Sequence, residues 1–564
     1  MKNVVLLLLL LFLVCWGAAQ EPGRYDVVIH EIFADPTPSR GMPASEFIEV
    51  RNRSSTAWNL RNWTISNGST TGRINTSFIL KPDSLAILCG SAAAAAFQPF
   101  GPTVVVSSFP ALDNDGDTLV ISSPSGMVIH ALAWNKDWYG NEVKQEGGWS
   151  LEMMDSNKPC LMNSNWTASN DIRGASPGKK NSVERAVADT LPPSLLYGFL
   201  DDSITAVLLF SEPLLDGSNW QLNTDPPAAT TNLVLKPPLF HALEINLSTP
   251  LRAEEQIKFT LNNVKDCSGN TALQQSTITG LFSPPGKDDV VINEILFNPP
   301  TGGTDYVELY NAGRKNINLK DLQIANRNGS NRISSITVLS GFPYPVLPGE
   351  YVLISTNNEW VFQKYQPPPV VKTIQLASMP TYPDDKGEVI LLNNSGEIID
   401  ELNYDEKWHF TLISEKEGIS LERISAGQTT NDPFNWHSAS TSSGYGTPGY
   451  RNSQVLPEEK KSGSVSLSTG IISPDMDGRD DFLLINYHFP SPGNLASVTA
   501  FDSKGRAVRS IIAGSLCGTS GSYRWDGLDH SGALVPRGVY IILTEVFDLQ
   551  GKTKKYRHTV AVYH

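Results

Sequence analysis

Two short motifs are the first places where this sequence could support catalysis. His30-Glu31 looks like the start of a His-Glu-x-x-His motif, in which two imidazoles one helical turn apart bind zinc, but the second histidine position holds Ala34. Residues 176–179 (Ser-Pro-Gly-Lys) fit the Ser-x-x-Lys spacing of β-lactamase-like enzymes, where the motif opens a helix, but Pro-Gly predicts a turn here. The chain has neither a Gly-x-Ser-x-Gly motif nor a P-loop. The sequence therefore predicts no catalytic residue and no enzyme.

Two glutamates of the first half recur in the second half, and such carboxylates could do acid–base chemistry or bind a cation. Glu31 and Glu49 correspond to Glu294 and Glu308, at matching places in two predicted strands. A strand glutamate in a β-sandwich more often faces solvent or bonds to a neighbouring turn. We therefore favour a structural role over a functional one for all four.

Twelve tryptophans are candidates for ligand contact, because an indole ring can stack on the apolar face of a sugar. Core packing is the commoner fate of this residue, and the recurrence of Trp166 as Trp436 favours it for that pair. Trp138 and Trp408 each follow a loop-like segment. These two are the better candidates for contact with a ligand.

The segment 475–481 gathers carboxylates around a glycine turn. Its aspartates Asp475, Asp477, Asp480 and Asp481 are spaced as a hard cation such as calcium requires. The full twelve-residue calcium loop is absent, because no bidentate glutamate follows at the right place. Calcium is thus the one cofactor that the sequence suggests, and a solvated turn at the start of a strand is the alternative.

An internal duplication organises the chain, with copy one at residues 25–183 and copy two at residues 288–453. The matching blocks are 26–32 with 289–295, 46–52 with 305–311, 149–152 with 419–422, 165–166 with 435–436, and 176–178 with 447–449. The duplication weakens both catalytic motifs, since Asn293 replaces His30 and Tyr450 replaces Lys179.

Short apolar stretches rich in Val, Ile, Phe and Tyr alternate with clusters of Asn, Gly, Asp and Pro, which predicts strands and turns throughout. Long helical periodicity is absent, and the alanine run 92–96 is interpreted as a loop or a single helical turn. At the usual ~150 residues per domain, 564 residues correspond to about four domains. The sequence predicts an all-β fold built from β-sandwiches.

The cysteines suggest one disulfide bond. Cys89 and Cys160 both lie in copy one, and copy two has threonine at both aligned positions. This joint loss favours a Cys89–Cys160 disulfide, formed in an oxidising compartment, over two independent buried thiols. Cys267 and Cys517 lie in separate predicted domains, and we expect both to stay unpaired.

The first residues predict export. Lys2 precedes a short apolar run and then small residues that match a cleavage signal, which indicates a signal peptide over residues 1–19. A lipoprotein anchor at Cys15 is the alternative, but Val14 occupies a position where such signals need a small residue. No later stretch is long and apolar enough to span a membrane. We therefore expect a secreted or cell-surface protein.

The charge balance argues against one class of partner. The chain has 44 Lys and Arg against 58 Asp and Glu, a formal net charge of −14. This balance offers no basic field for a phosphate backbone. Nucleic acid is therefore an unexpected partner.

Both copies share a hydrophobic-Glu-Ile opening and a closing Ser/Thr-Pro-Gly turn, with Phe-Ile-Glu-Val-x-Asn at 47–52 and Tyr-Val-Glu-Leu-Tyr-Asn at 306–311 between them. With these elements, both copies resemble the lamin-tail domain. The resemblance implies an immunoglobulin-like sandwich for each copy. In bacteria this domain is found on secreted or surface proteins, usually without catalytic groups of its own.

Two further resemblances cover the rest of the chain. Residues 190–283, with Phe-Ser-Glu-Pro at 210–213 and Asp-Cys-Ser-Gly-Asn at 266–270, look like the bacterial Ig-like domain of S-layer-type and adhesion proteins. After a polar linker at 457–463, residues 465–564 resemble the Ig-like domain of flagellar hook-capping proteins and the C-terminal sorting domains of type IX secretion. Together these resemblances imply four immunoglobulin-like β-sandwich domains in series.

These features predict an exported, non-catalytic surface protein for adhesion, binding or structural display. Its expected partners are a surface glycan or a protein, and the secretion and sorting machinery through the C-terminal domain. The alternative is an accessory binding module of an extracellular hydrolase or nuclease system.

Overall fold

The computed structural model describes residues 21–215, 220–457 and 462–564, so the predicted signal peptide lies outside the described residues. The regular structure in these ranges is β-strand, apart from two short α-helices and several single 3₁₀ turns. The predicted all-β class is confirmed. None of the helices in these three ranges is long and apolar enough to cross a bilayer.

The described residues form two compact units. The first contains the described residues up to Pro250 together with Ile257–Ile278, and the second contains Leu251–Gln256 together with Thr279–His564. Each unit holds one copy of the duplication and one further pair of sheets. The boundaries of the four domains stay a prediction.

Copy one supplies twelve strands and one short helix to the first unit. They are β1 (Val27–Phe33), β2 (Phe47–Asn52), β3 (Trp58–Asn59), β4 (Thr64–Ser66), β5 (Thr71–Ile74), β6 (Ile79–Leu80), β7 (Leu85–Cys89), α1 (Ala94–Phe97), β8 (Thr103–Ser107), β9 (Gly116–Ser122), β10 (Val128–Asn135), β11 (Leu151–Met153) and β12 (Trp166–Ala168). Ten strands form one sheet in the order β10-β9-β4-β5-β8-β7-β2-β1-β11-β12, and β3 pairs with β6. The single turn α1 confirms the interpretation of the alanine run.

The sheet of copy one encloses its own core. Ile29 on β1 and Leu119 on β9 belong to one buried cluster, although their strands lie far apart in the sheet order. All seven residues of β1 are buried, because a second apolar cluster with Phe47 and Phe97 covers the opposite face beneath α1. A strand covered on both faces loses the usual alternation of apolar and polar residues.

The remainder of the first unit contains seven strands. They are β13 (Leu195–Leu200), β14 (Thr205–Phe210), β15 (Gln221–Asp225), β16 (Thr230–Lys236), β17 (Ala242–Leu247), β18 (Gln256–Lys265) and β19 (Thr271–Gly280). They form a four-stranded sheet, β13-β14-β17-β16, and a three-stranded sheet, β15-β18-β19.

Copy two supplies twelve strands and one helix to the second unit. They are β20 (Val290–Leu296), β21 (Tyr306–Asn311), β22 (Ile317–Asn318), β23 (Leu322–Arg327), β24 (Ile333–Val338), β25 (Pro345–Val346), β26 (Tyr351–Ser355), α2 (Asn358–Tyr365), β27 (Lys372–Gln375), β28 (Lys386–Asn393), β29 (Ile398–Asp405), β30 (Leu421–Arg423) and β31 (Trp436–Ser438). The two layers are β27-β26-β21-β20-β30-β31 and β24-β23-β28-β29, and β22 pairs with β25. Residues of both layers share one core.

The C-terminal part of the second unit contains eight strands. They are β32 (Ser464–Leu467), β33 (Ile471–Ile472), β34 (Leu483–His488), β35 (Leu495–Phe501), β36 (Ala507–Leu516), β37 (Ser520–Trp525), β38 (Gly538–Phe547) and β39 (Thr553–Val562). They form the sheets β32-β34-β37 and β33-β39-β38-β35-β36 around one core. Buried and partly exposed residues alternate along β34 and β35, as in strands with one face against a core.

Candidate functional site

Three glutamates lie on neighbouring strands of each copy and form what we call the glutamate cluster. The clusters are Glu31, Glu49 and Glu152 in copy one, and Glu294, Glu308 and Glu422 in copy two. In each copy the first glutamate stands directly opposite the other two in the strand register. All six side chains have 0 % exposure. They face the interior and not solvent.

In copy one the closing Ser-Pro-Gly turn bonds to all three glutamates. The Ser176 backbone N–H donates to Glu31 Oε1 at 2.8 Å, and the Ser176 hydroxyl donates to Glu152 Oε1 at 2.7 Å. The Gly178 N–H donates to Glu49 Oε2. The turn is therefore held to three strands at once.

Copy two repeats this arrangement. The Thr447 N–H donates to Glu294 Oε1 at 2.8 Å, and the Gly449 N–H donates to Glu308 Oε2 at 2.5 Å. The Thr447 hydroxyl lies 2.9 Å from Glu422 Oε1. The structural role favoured for these glutamates is the one that their contacts support.

The glycine of each closing turn has a backbone conformation that other residues rarely adopt. The φ angle is +73° at Gly178 and +88° at Gly449. A Cβ atom at Gly178 would clash with the carbonyl oxygen of Phe100, and one at Gly449 would lie 2.6 Å from Val371. Both contacts explain why the turn ends in glycine in each copy.

His30 belongs to the glutamate cluster and not to a helical zinc motif. It sits where the register of β1 and β2 shifts, and its Nδ1 lies 3.3 Å from Glu49 Oε1. Asn293 occupies the same place in copy two, and its amide donates to Glu308 Oε1 at 2.6 Å. His30 and Asn293 therefore contact equivalent glutamates of their own copies, Glu49 and Glu308.

Burial favours the neutral form of Glu31 and Glu422. It raises the pKa of Glu31 well above the usual range, and repulsion from Glu49 and Glu152 raises that pKa further. In copy two, burial raises the pKa of Glu422 to about 8, with repulsion from Glu294 as the next cause.

The geometry around Thr447 also supports a protonated carboxyl group, independently of the raised pKa values. The Thr447 hydroxyl oxygen lies 2.8 Å from Glu294 Oε2 and 2.9 Å from Glu422 Oε1. A hydroxyl group has one proton, so it can donate to only one of these oxygens. The other carboxyl group must supply the second proton. The copy-two cluster is therefore a buried hydrogen-bond network with at least one neutral acid.

The predicted Cys89–Cys160 disulfide is wrong. Cys160 is bonded to Cys267, with the two Cα atoms 6.1 Å apart, and Cys89 is a buried free thiol. The expectation that Cys267 stays unpaired is therefore also wrong, whereas Cys517 is free as expected. Burial raises the pKa of the Cys89 thiol to about 11, which makes it an inert core residue.

Copy two lacks the two cysteines for separate reasons. Cys89 packs in the apolar cluster beneath α1, and at its aligned position the Thr356 hydroxyl lies 2.7 Å from that of Thr304. At the position of Cys160, the Thr430 hydroxyl donates to Asp400 Oδ1 at 2.5 Å. The joint loss does not reflect a shared bond.

The prediction that Trp138 contacts a ligand is contradicted by its burial. Trp138 is 8 % exposed and belongs to the core of copy one, where its ring lies 6.1 Å from that of Trp166. The 3₁₀ turn Lys136–Tyr139 carries it, and Asn135 caps this turn by accepting from the Asp137 N–H. The loop-like sequence before Trp138 therefore forms an ordered turn that places the ring in the core.

Trp408, in contrast, lies at a surface cleft. Trp408 is partly exposed and packs against the core of copy two with the rest of its surface. It lines a cleft of about 570 Å³ together with residues from the end of β23, the start of β28, the end of β29 and the segment before β28. We call this depression the Trp408 cleft. Its lining includes Asn326, Lys386, Glu388 and Asn403.

The acidic turn brings together three of its four predicted ligands. Carboxylate oxygens of Asp475, Asp477 and Asp481 lie within 4.8 Å of one another, and Asp480 is not part of this group. Both oxygens of Asp481 accept backbone N–H groups, from Met476 and from Gly478. Calcium binding at this turn stays a prediction.

A second acidic group joins two motifs of the middle region that the sequence shows separately. Carboxylate oxygens of Asp189, Glu212 and Asp266 lie within 4.8 Å of one another. Glu212 comes from the Phe-Ser-Glu-Pro motif and Asp266 from the Asp-x-Ser-Gly-Asn motif. Burial, followed by repulsion from Asp266 and Asp189, raises the pKa of Glu212 to about 7. The sequence shows these two motifs, but only the fold reveals that their carboxylates lie close together.

Comparison with known families supports the duplication. The lamin tail domain family model matches residues 20–136 and 283–406. These regions overlap the larger, N-terminal parts of copy one and copy two, so the predicted resemblance is confirmed for both. None of the curated proteins matches the chain.

Several solved structures are similar to parts of this chain at low identity. The S-layer protein rSbsC is 9 % identical over 66 % of this chain and 54 % of its own, with a TM-score of 0.15. Latent PorU from Porphyromonas gingivalis is 10 % identical over 71 % of this chain and 35 % of its own, with a TM-score of 0.15. PorZ, a surface component of the type-IX secretion system of the same organism, is 12 % identical over 92 % of this chain and 69 % of its own, with a TM-score of 0.16. The chain thus spans about half of the S-layer protein and about a third of PorU.

Proposed function

We propose that this chain is an exported, non-catalytic protein that acts by binding at the cell surface. The observation that carries the proposal is the Cys160–Cys267 disulfide, which links copy one to the turn between β18 and β19. Disulfide bonds form and persist in oxidising compartments outside the cytosol. The bond supports export independently of the predicted signal peptide.

The state of the glutamate clusters supports binding over catalysis. A general acid or base must reach the substrate, and all six glutamates are fully buried. Each cluster accepts hydrogen bonds from its own closing turn. The lamin tail domain matches include the first two glutamates of each cluster, Glu31 and Glu49 in copy one and Glu294 and Glu308 in copy two.

We further propose that residues 465–564 direct passage across an outer membrane and attachment at the surface. The last strand, β39, pairs with β38 along its whole length. The other edge of β39 pairs with only one described strand, β33, and only at Ala561 and Val562. An open strand edge is a surface to which a receptor can add its own strand.

Deletion of residues 465–564 tests this role in the native host. The truncated chain should accumulate in the periplasm, and its Cys160–Cys267 bond should still form, which serves as the internal control for export and folding of the first unit. Full-length chain processed in parallel should reach the surface or the medium. A truncated chain that reaches the surface or medium at normal levels would show that this region is not a sorting element.

A further inference from the structure

We propose that the Trp408 cleft of copy two binds a neutral oligosaccharide. Trp408 would stack on one sugar ring, and Glu388 and Asn403 would bond to its hydroxyl groups. The inference rests on the proposed function as a surface-binding protein and names the class of ligand and the place where it binds.

Trp408 has the environment of a stacking platform. Part of the side chain packs against the core of copy two, which fixes the ring, and the remainder is exposed at the cleft. The C–H faces of a pyranose ring are apolar enough to pack on an indole. A fixed aromatic ring loses little conformational entropy when a ligand binds.

Glu388 and Asn403 supply matched acceptors and donors beside this ring. They stand directly opposite each other on β28 and β29. Neither side chain has a hydrogen-bond partner in the part of the chain that the structure describes. Sugar hydroxyls both donate and accept, so a carboxylate beside an amide suits them.

The charges of the cleft favour a neutral ligand. Lys386 lies in register with Asp405, and both line the cleft with Glu388. Arg327 is already paired with Glu401, with two nitrogens 3.0 and 3.1 Å from its carboxylate oxygens. Cations and anions are therefore interspersed, and the cleft offers no field of one sign for a polyanion or a polycation.

Copy one shows that the fold does not require these residues. The register pair equivalent to Glu388 and Asn403 is Thr118 and Ala133. The tryptophan equivalent to Trp408 is buried in the core. The partly exposed ring, the unpaired polar side chains and the cleft therefore occur together in copy two. With a volume of about 570 Å³, the cleft lies within the ~300–1,000 Å³ typical of small-molecule sites.

Isothermal titration of the full chain with cellohexaose, laminarihexaose, maltohexaose and mannohexaose tests the proposal, with hexagalacturonate as the anionic comparison. At least one neutral hexasaccharide should bind at millimolar concentration or below. Trp408→Ala should weaken that binding by about tenfold or more, which corresponds to the loss of one stacked ring. Asn403→Ala, at an exposed position, should weaken it by a smaller factor without affecting folding.

Trp360→Ala is the matched control, because Trp360 is a partly exposed tryptophan of copy two on α2, outside the lining of the cleft. Binding unchanged by both Trp408→Ala and Asn403→Ala would overturn the proposal. It would also be overturned by binding of hexagalacturonate alone, or by no binding to any of the neutral hexasaccharides. Such a failure would leave the export experiment unaffected, whereas a normal surface level of the truncated chain would leave binding at the cleft unaffected.

Discussion

Copy one and copy two keep the same buried glutamates but differ in the 3₁₀ turns that carry Trp138 and Trp408. The three glutamates, the bulge residue beside them and the closing turn make equivalent hydrogen bonds in both copies. In these turns Trp138 is a core residue, whereas Trp408 lines a cleft. The comparison teaches that the shared polar residues stabilise the fold and that binding is to be sought where the copies diverge.

A second difference between the copies shows one structural task performed by two chemistries. The Ile29 N–H donates to His130 Nδ1 at 2.9 Å in copy one, and the Ile292 N–H donates to Asp400 Oδ2 at 2.8 Å in copy two. Burial lowers the pKa of His130 to about 3, so this imidazole is neutral. Asp400 lies beside Arg423, whose Nη1 is 3.2 Å from Asp400 Oδ2. Met153 occupies the position of that arginine in copy one, where no charge needs compensation.

The largest predicted effect comes from breaking the Asp400–Arg423 ion pair of copy two. Arg423→Met should destabilise copy two by about 3–5 kcal/mol, because it leaves the buried Asp400 carboxylate uncompensated. The double variant Asp400→His with Arg423→Met reproduces the copy-one pair and should recover most of that loss. Scanning calorimetry of the full chain, following the transition of copy two, measures both changes.

Arg327→Met is the control for this experiment, since the Arg327–Glu401 pair is partly exposed and should contribute about 1 kcal/mol or less. A double variant no more stable than Arg423→Met alone would mean that the two copies do not use interchangeable pairs.

A smaller effect should distinguish the copies by their covalent bonds. Cys160→Ser should destabilise the first unit by about 2–4 kcal/mol, because the lost bond closes a loop with a sequence separation of 107. Copy two, which contains no described cysteine, should melt at its original temperature. Calorimetry with and without a reductant measures the difference.

Cys89→Ser provides the matched comparison for the disulfide. The variant should keep the Cys160–Cys267 bond, detected by peptide mapping of unreduced protein. Loss of the bond in Cys89→Ser would contradict the pairing described here.

The smallest effect concerns pH. The pKa of Glu422 is raised from 4.5 to about 8, so the folded state retains a proton that the unfolded state releases. The free energy of unfolding of copy two should therefore fall as the pH rises between these values. Glu422→Gln removes this titration and should flatten the dependence, whereas the exposed Glu415→Gln should not. A melting temperature of copy two that rises over this range in the unmodified chain would show that the carboxyl group is ionised when folded.

The sequence predicted the duplication and the all-β class because both depend on local patterns. The burial of Glu31 and Glu294 could not be predicted from local patterns. Their strands are covered on both faces, by the core and by clusters beneath α1 and α2, and this second cover comes from distant residues. The third glutamate of each cluster, Glu152 or Glu422, was visible only as part of a repeated Ser-Leu-Glu block.

The errors have a common physical cause. Cys89 and Cys160 were paired on their shared absence from copy two, although Cys160 bonds to a residue outside the duplication. Trp138 and Trp408 follow similar local sequences, and only the tertiary packing separates a core ring from a cleft ring. Both questions depend on contacts between residues far apart in the chain, which local patterns do not encode.

Each glutamate cluster fastens the closing turn of its own copy to the strands of that copy. Hydrogen exchange at the two closing turns tests this claim most directly. Peptides covering residues 176–183 and 447–454 should exchange slowly in the unmodified chain, because the Gly178 and Gly449 N–H groups are donated to buried glutamates. Glu49→Ala should accelerate exchange in the first peptide only, and Glu308→Ala in the second only. Fast exchange in the unmodified chain, or rates unchanged in both variants, would contradict the account.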